Sequence, residues 1–319
     1  MNRVTVKEGL HPRNRYRNGY DFAKLSAAFP ALAPFVTKNA HGNESVDYAD
    51  PRAVKALNQA LLLRGSGLES WDIPPGSLCP PIPGRSDYIH HLADLLSGGD
   101  RTAVPRGKAV RILDIGTGAS CIYPLIGASE YGWRFVGTEI DLASHAWASQ
   151  LVAANPSVTP LIDCRLQTAP AQCFSGVVQP GEIFDAVMCN PPFHASAAEA
   201  AAGTRRKVRN LSGRKAEPVL NFGGKDGELW CPGGELGFIR RMISQSTKLA
   251  TECLWFTSLV SRSEHLPRFQ QFLRDVRASG IRTIGMSQGN KQSRILAWSF
   301  LSPAEHLEWR RRWTSPSGR

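Results

Sequence analysis

The residues best placed to do chemistry are Asn190, Pro191, Pro192 and Phe193, which follow an apolar run at 184–189. A strand running into two prolines must end there, because proline gives no amide to a ladder and restricts the residue before it. An amide side chain, a rigid backbone with free carbonyls and an aromatic ring are then left at the carboxyl edge of a sheet. The Asn190 side-chain oxygen and the Pro191 carbonyl can accept the two N–H bonds of an exocyclic amine. Pro192 keeps the turn rigid, and Phe193 can stack on a planar guest.

A reagent site lies upstream, in Asp114-Ile115-Gly116-Thr117-Gly118, after a second apolar run. Its glycines allow a tight turn and close backbone approach to a ligand. A dinucleotide fingerprint would continue to a third glycine, but position 121 is Cys. An acid before the glycines, with Glu139 closing the next run, better matches S-adenosylmethionine. Glu139 would accept from the two ribose hydroxyls, and Asp114 would shape the loop near the amino-acid end. Gly116, Thr117 and Gly118 would pass their backbone along the cofactor. Together the two motifs support in-line methyl transfer to an amine. The acceptors polarise the nitrogen and stabilise the positive charge that grows on it, and near-attack geometry supplies much of the rate. No metal or nucleophilic side chain is needed.

The elements that position these residues alternate. Runs at 110–115, 135–141, 158–165, 184–189 and 254–259 read as strands, with helices at 141–154, 235–250 and 266–279. Such alternation implies an α/β fold, a Rossmann-like, mostly parallel sheet with helices on both faces. Closing strands at 283–286 and 294–301 lie too close for a helical crossover, so they pair antiparallel. Before this unit, 51–63 reads as a helix capped by Asp50, 65–83 as a Pro- and Gly-rich loop, and 87–96 as an amphipathic helix. Adjacent His90 and His91 on that helix point in different directions and find no second ligand pair, so no metal is expected.

The chain of 319 residues, 42% hydrophobic, can bury a sizeable core. It has no apolar run of roughly 18 residues and no apolar h-region near its start, so neither a membrane span nor a signal peptide is expected. The seven cysteines form no C-x-x-C pair, which fits reduced thiols and a cytoplasmic protein. The net charge of +11 is clustered at Arg3, Lys7, Arg13, Arg15 and Arg17, and again at Arg205, Arg206, Lys207, Arg209, Arg214 and Lys215. Basic clusters, the first interleaved with Tyr and Asn, suit a polyphosphate partner such as nucleic acid. The stretch 195–234 shows no period and starts at the strand edge where ligands bind, so it reads as a substrate loop.

With these motifs in place, the sequence resembles the bacterial 23S ribosomal RNA adenine-N6 methyltransferases of the RlmF type, relatives of the eukaryotic small-nuclear-RNA adenine-N6 methyltransferases. The resemblance covers nearly the whole chain. It rests on HPRNRYRNGYDFAKL at 11–25, PPIPGRSDYIHHLADLL at 80–96, DIGTGASCIYPLIG at 114–127 and CNPPFH at 189–194. Further matches are LNFGG at 220–224, ELWCPGGE at 228–235, WFTSLVSR at 255–262 and QGNKQSRILAWSF at 288–300. It implies a class I methyltransferase fold: a seven-stranded, mostly parallel sheet with an antiparallel strand near the C-terminus. Residues 1–75 would be a basic RNA-binding extension and 76–319 the catalytic domain.

By the same resemblance, Arg85 reaches the cofactor through the methionine carboxylate, Thr168 lies at another cofactor contact, and Asn190 serves cofactor and substrate alike. The expected RNA contacts are Arg13, Asn14, Arg15, Arg17, Arg205, Arg206, Lys207, Arg209 and Lys291. The target would be N6 of one adenine in 23S rRNA, of the adenine-1618 type, in RNA still accessible before the large subunit is assembled. The protein would act as a monomer. Turning the base out of its stack costs roughly a few kcal/mol, which phosphate contacts at 11–17 and 205–215 would offset.

Other classes start from the same tetrad: methylation of another RNA or of DNA, protein glutamine-N5 methylation, or a non-catalytic RNA binder. The basic N-terminal segment and the long family match argue against a protein glutamine or DNA substrate, and the intact Asp114, Gly116, Gly118, Glu139 and Asn190 against the non-catalytic binder. If 195–234 orders over RNA, limited proteolysis within it will slow when 23S RNA is added; an unchanged digestion pattern would overturn that assignment.

Overall fold

The structure, a computed structural model, describes residues 9–100, 103–196, 198–199, 229–288 and 291–314. Its main sheet is built from β3 (Arg111–Ile115), β4 (Arg134–Glu139), β5 (Ile162–Leu166), β6 (Phe184–Cys189), β7 (Cys253–Val260), β8 (Gly280–Gln288) and β9 (Lys291–Ser299). The strand order is β5-β4-β3-β6-β7-β9-β8. Pairs within β5 to β7 are parallel, while β9 runs antiparallel to both of its neighbours. This is the expected class I methyltransferase arrangement. A separate ribbon pairs β1 (Val36–Lys38) with β2 (Glu44–Val46).

The strands alternate faces, as a period of two requires. Ile112, Ala186 and Met188 enter a core shared with α1 (Phe22–Ala28), α2 (Pro51–Ser66), α3 (Ile82–Leu96), α4 (Ile122–Tyr131) and α5 (Leu142–Ala153). Leu113, Val187 and Cys189 enter the opposite core, under α6 (Gly234–Ser246) and α7 (Leu266–Asp275). All six residues of β6 are buried, which explains why it is apolar on both faces apart from Asp185. Phe22 and Leu25 of α1 share the first core with Ile89 and Phe135, so residues 9–75 form a packed layer continuous with the sheet.

The last described helix, α8 (Pro303–Thr314), closes the far end of β6. Trp309 and Trp313 each donate an indole N–H to Asp185 Oδ1, at 2.7 and 2.9 Å, and Oδ2 accepts from the Arg111 amide at 2.6 Å. No described helix is long and apolar enough to cross a membrane, and the seven cysteines are all free thiols.

Three sequence expectations change. Helix α3 starts five residues before the expected 87, because Pro81 acts as N-cap and proline is tolerated in a first turn whose amides need no partner. Arg85 therefore stands on a helix and not in a loop. Arg13 and Asn14, expected to meet RNA, are turned inward onto this helix. Arg13 donates to Tyr131 Oη, the His90 carbonyl and Asp94 at 3.0, 2.9 and 2.5 Å. Asn14 is 4% exposed and gives its amide to the Pro83 carbonyl and to Asp87. Asn14 is thus spent on the fold, while Arg13 keeps about a quarter of its side chain exposed.

Gly127 marks the closest approach of α4 to the sheet: a Cβ there would overlap the Phe135 ring and meet Ile89 Cδ1 at 3.5 Å. Alanine would gain about 1 kcal/mol of helix propensity, but overpacking costs about 1–3 kcal/mol, and Phe135 is sealed at 2% exposure. Gly127→Ala is expected to lose about 1–2 kcal/mol in urea unfolding; a gain would show that the ring has room to move.

Candidate functional site

The carboxyl ends of β3, β4 and β6 surround a cavity of about 500 Å³, a size ordinary for small-ligand sites. It lies where the sheet order reverses, between β3 and β6. Gly116, Thr117, Gly118, Glu139, Arg85, Asn190 and Pro192 all line it.

Beyond Ile115 the chain adopts left-handed backbone at Gly116 and Gly118, with φ of 72° and 67°. A Cβ on Gly116 would meet nothing within 4 Å, so the loop turns bare backbone toward the cavity. Glu139 holds this loop as well as facing the cavity. Its Oε2 accepts from the Gly118 amide at 2.9 Å, and Oε1 accepts from the Ile140 and Asp141 amides at 2.8 and 2.9 Å. Asp114 lies behind the loop, outside the lining, with neither carboxylate oxygen hydrogen-bonded among the described residues. Burial pushes its carboxyl up to about 7; the nearby Thr117 hydroxyl and the Arg85 charge oppose the rise, and the Glu139 charge adds to it.

On the β6 side, Asn190 and Pro192 reach the cavity whereas Pro191 is buried and Phe193 stands half-buried outside the lining. From α3, Arg85 gives Nη1 to the Tyr123 hydroxyl at 2.6 Å. One turn on, the Tyr88 hydroxyl meets Thr257 Oγ1 at 2.8 Å and accepts from the Cys189 amide at 3.4 Å.

Thr168 is exposed and does not line the cavity. As the chain leaves β5 it is the preceding Gln167 that turns inward, its amide fixed by the Ser175 carbonyl and the Ala169 N–H. Trp230, Phe238 and Arg241, not expected from the sequence, complete the wall. Trp230 is brought there by a β-bridge with His194, in which Cys231 N donates to the His194 carbonyl at 3.1 Å. A tryptophan beside the glycines of ELWCPGGE was the available signal.

The expected RNA contacts are spread differently from the cavity residues. Arg15 pairs with Glu130 at 2.5 Å yet remains half exposed, and Arg17 is exposed. Lys291 opens β9. Arg205, Arg206, Lys207 and Arg209 lie outside the described residues, as does most of 195–234. His90 is buried with Nδ1 2.7 Å from the Tyr131 hydroxyl, and burial holds its ring down to about 3, so it stays neutral. Among the described residues no group of three metal-type side chains converges.

Comparison with known proteins points the same way. A family profile described as RNA methyltransferase matches residues 4–302. The chain is 56% identical over 303 residues to the ribosomal RNA large subunit methyltransferase F of Pectobacterium carotovorum subsp. carotovorum, covering 95% of this chain and 96% of the relative. Its counterpart of the same name in Photobacterium profundum is 50% identical over 327 residues, 97% of each chain. The hMettl16 catalytic domain, solved in complex with MAT2A 3'UTR hairpin 1, aligns with a TM-score of 0.78 and 34% identity over 93% of this chain and 97% of its own. The N-terminal domain of human METTL16 in complex with SAH gives 0.72 and 31% over 92% and 99%.

The buried Asp114 carries a pH signature. Its folded-state value is raised from the ordinary 3.8 to about 7, so the folded chain holds this proton more tightly than the unfolded one. The associated stability is complete below pH 3.8 and disappears as pH rises through about 7. Between pH 5 and pH 8 the wild type should lose about 2–3 kcal/mol more than Asp114→Asn, whose amide does not titrate. Parallel stability curves in urea unfolding would show that Asp114 keeps an ordinary value.

Proposed function

The chain belongs to this RNA methyltransferase family, and from that premise we propose that it methylates the N6 amine of one adenine in 23S ribosomal RNA, of the adenine-1618 type. The observation that carries the reading is that the Asn190 amide and the Gly116–Glu139 loop site line one cavity. An amine acceptor thus faces a cofactor cradle.

The residues present fit S-adenosylmethionine. The loop offers bare backbone at Gly116, Glu139 offers a carboxylate for ribose hydroxyls, and Arg85 offers a guanidinium for the amino-acid carboxylate. Bound there, S-adenosylmethionine supplies an electrophilic methyl group. Asn190 Oδ1 and the Pro191 carbonyl accept the two N6 hydrogens and direct the nitrogen lone pair toward the methyl. As the N–C bond forms and the methyl–sulfur bond breaks, its electron pair staying on sulfur, positive charge would grow on N6, and the two fixed acceptors would stabilise it until a proton leaves to water. Phe193 is assigned the stacking contact that follows entry of the flipped base. Arg15, Arg17 and the segment 205–215 are assigned to flanking phosphates, with residues 1–75 acting as the RNA-gripping extension. The 23S rRNA, free or in an assembly precursor, is the proposed partner of a monomeric enzyme.

Labelled S-adenosylmethionine offered with 23S RNA, ribosomes, DNA and a release-factor protein tests this directly. Label is expected on RNA adenine, and Asn190→Ala should lower the rate by about 100-fold or more. Label on protein or DNA, or none anywhere, would overturn the reading.

A further inference from the structure

We propose that Arg85 is a positioning residue for Asn190, deciding which end of its amide meets the incoming amine. The inference rests on the adenine-N6 reading above and assigns Arg85 a task beyond holding a cofactor carboxylate. An asparagine amide has two ends of nearly equal shape, and only the oxygen can accept from an N–H. The NH2 end set against the guanidinium would place donors against donors. With the oxygen toward Arg85, Oδ1 accepts from Nη1 at 3.0 Å and Nη2 at 3.3 Å, and both ends of the amide are satisfied.

The guanidinium that imposes this choice is itself fixed. It stands on α3, gives Nη1 to the Tyr123 hydroxyl at 2.6 Å and lies 5.4 Å from the centre of that ring. Burial pushes the Tyr123 hydroxyl up to about 12, so it keeps its proton and adds no competing charge. Three residues along the same helix, Tyr88 binds the amide of Cys189, immediately before Asn190. Helix α3 therefore grips the end of β6 twice, at the backbone and at the amide oxygen.

These contacts take three of the five guanidinium N–H bonds, and Nε is buried without a partner among the described residues, so capacity for a carboxylate remains. The two Arg85 N–H groups donate to Oδ1 as a fork, the 3.3 Å contact being the longer, and the target N–H joins them as a further donor to that oxygen. Without Arg85 the amide can turn its NH2 toward the amine, and the productive orientation becomes one of two. A residue serving the cofactor alone would change KM for S-adenosylmethionine and leave kcat intact. A residue that also sets the acceptor lowers kcat at saturating cofactor.

The experiment compares wild type, Arg85→Met, Arg85→Lys and Tyr123→Phe as full chains on an unmodified 23S rRNA transcript, with kcat and KM measured separately. Arg85→Met is expected to lose about tenfold or more in kcat at saturating S-adenosylmethionine. Arg85→Lys should recover cofactor affinity better than kcat, because one ammonium cannot reproduce the paired donors. Tyr123→Phe should lower kcat by a few-fold, about threefold.

A second readout needs no turnover. In protein labelled with 15N-asparagine, the side-chain amide signals of Asn190, identified by their loss in Asn190→Ala, should shift or split in Arg85→Met. Full recovery of kcat at saturating cofactor, or unmoved amide signals, overturns the proposal. An inactive wild type would instead overturn the substrate reading, and the amide signals would still decide the role of Arg85.

Discussion

Asp87 and Asp94 sit on one face of α3, two turns apart, and receive His11, Arg13 and Asn14 of the N-terminal segment. Arg85 and Tyr88 sit on the other face and reach the end of β6. The helix is thus clamped between a polar lock and the chemistry. The lock is not a simple gain. Hydrogen bonds to a charged group are worth about 1.5–3 kcal/mol each, yet burial still pushes the Asp87 carboxyl up to about 6 against the Asn14 and His11 bonds that pull it down. Desolvation wins for that residue. What the lock supplies is position: removing a partner would strand a buried acid, so the segment and the helix hold one register. Residues whose composition points to RNA contribute to the site from behind.

Much of this could be read from residues alone where the signal is local. The end of β6 is written in two consecutive prolines, the turn after β3 in its glycines, and the sheet in the spacing of apolar runs. Glu139 was recognisable because an acid at a strand end has few other uses. Its second task, accepting three backbone amides, was not, since those donors come from the loop and turn that only folding assembles.

Other features were hidden by the same limit. Pro83 and Gly84 look like breakers, and nothing nearby shows that the first turn of α3 tolerates them. Arg13 and Arg17 are alike as letters, but one is tied to Asp94 and the other is exposed. Trp230 enters the cavity wall through a pairing with His194, far back along the chain. Periodicity carries no information about such a bridge. Asp185 could be seen as a polar residue in an apolar strand, while its two indole partners lie far along the chain.

Those indole bonds span 124 and 128 residues. They close the strand that carries Asn190 at its opposite end, and burial holds the Asp185 carboxyl above its ordinary range even with both donors in place. Contacts of such long sequence separation form only after their loop entropy has been met, which slows folding. The β3 to β5 half is built from near neighbours and can organise early. The central strand must wait for β7, β9 and α8 before its start is sealed. The contacts that seal β6 thus carry a larger loop-closure cost than those that shape the Gly116 loop and Glu139.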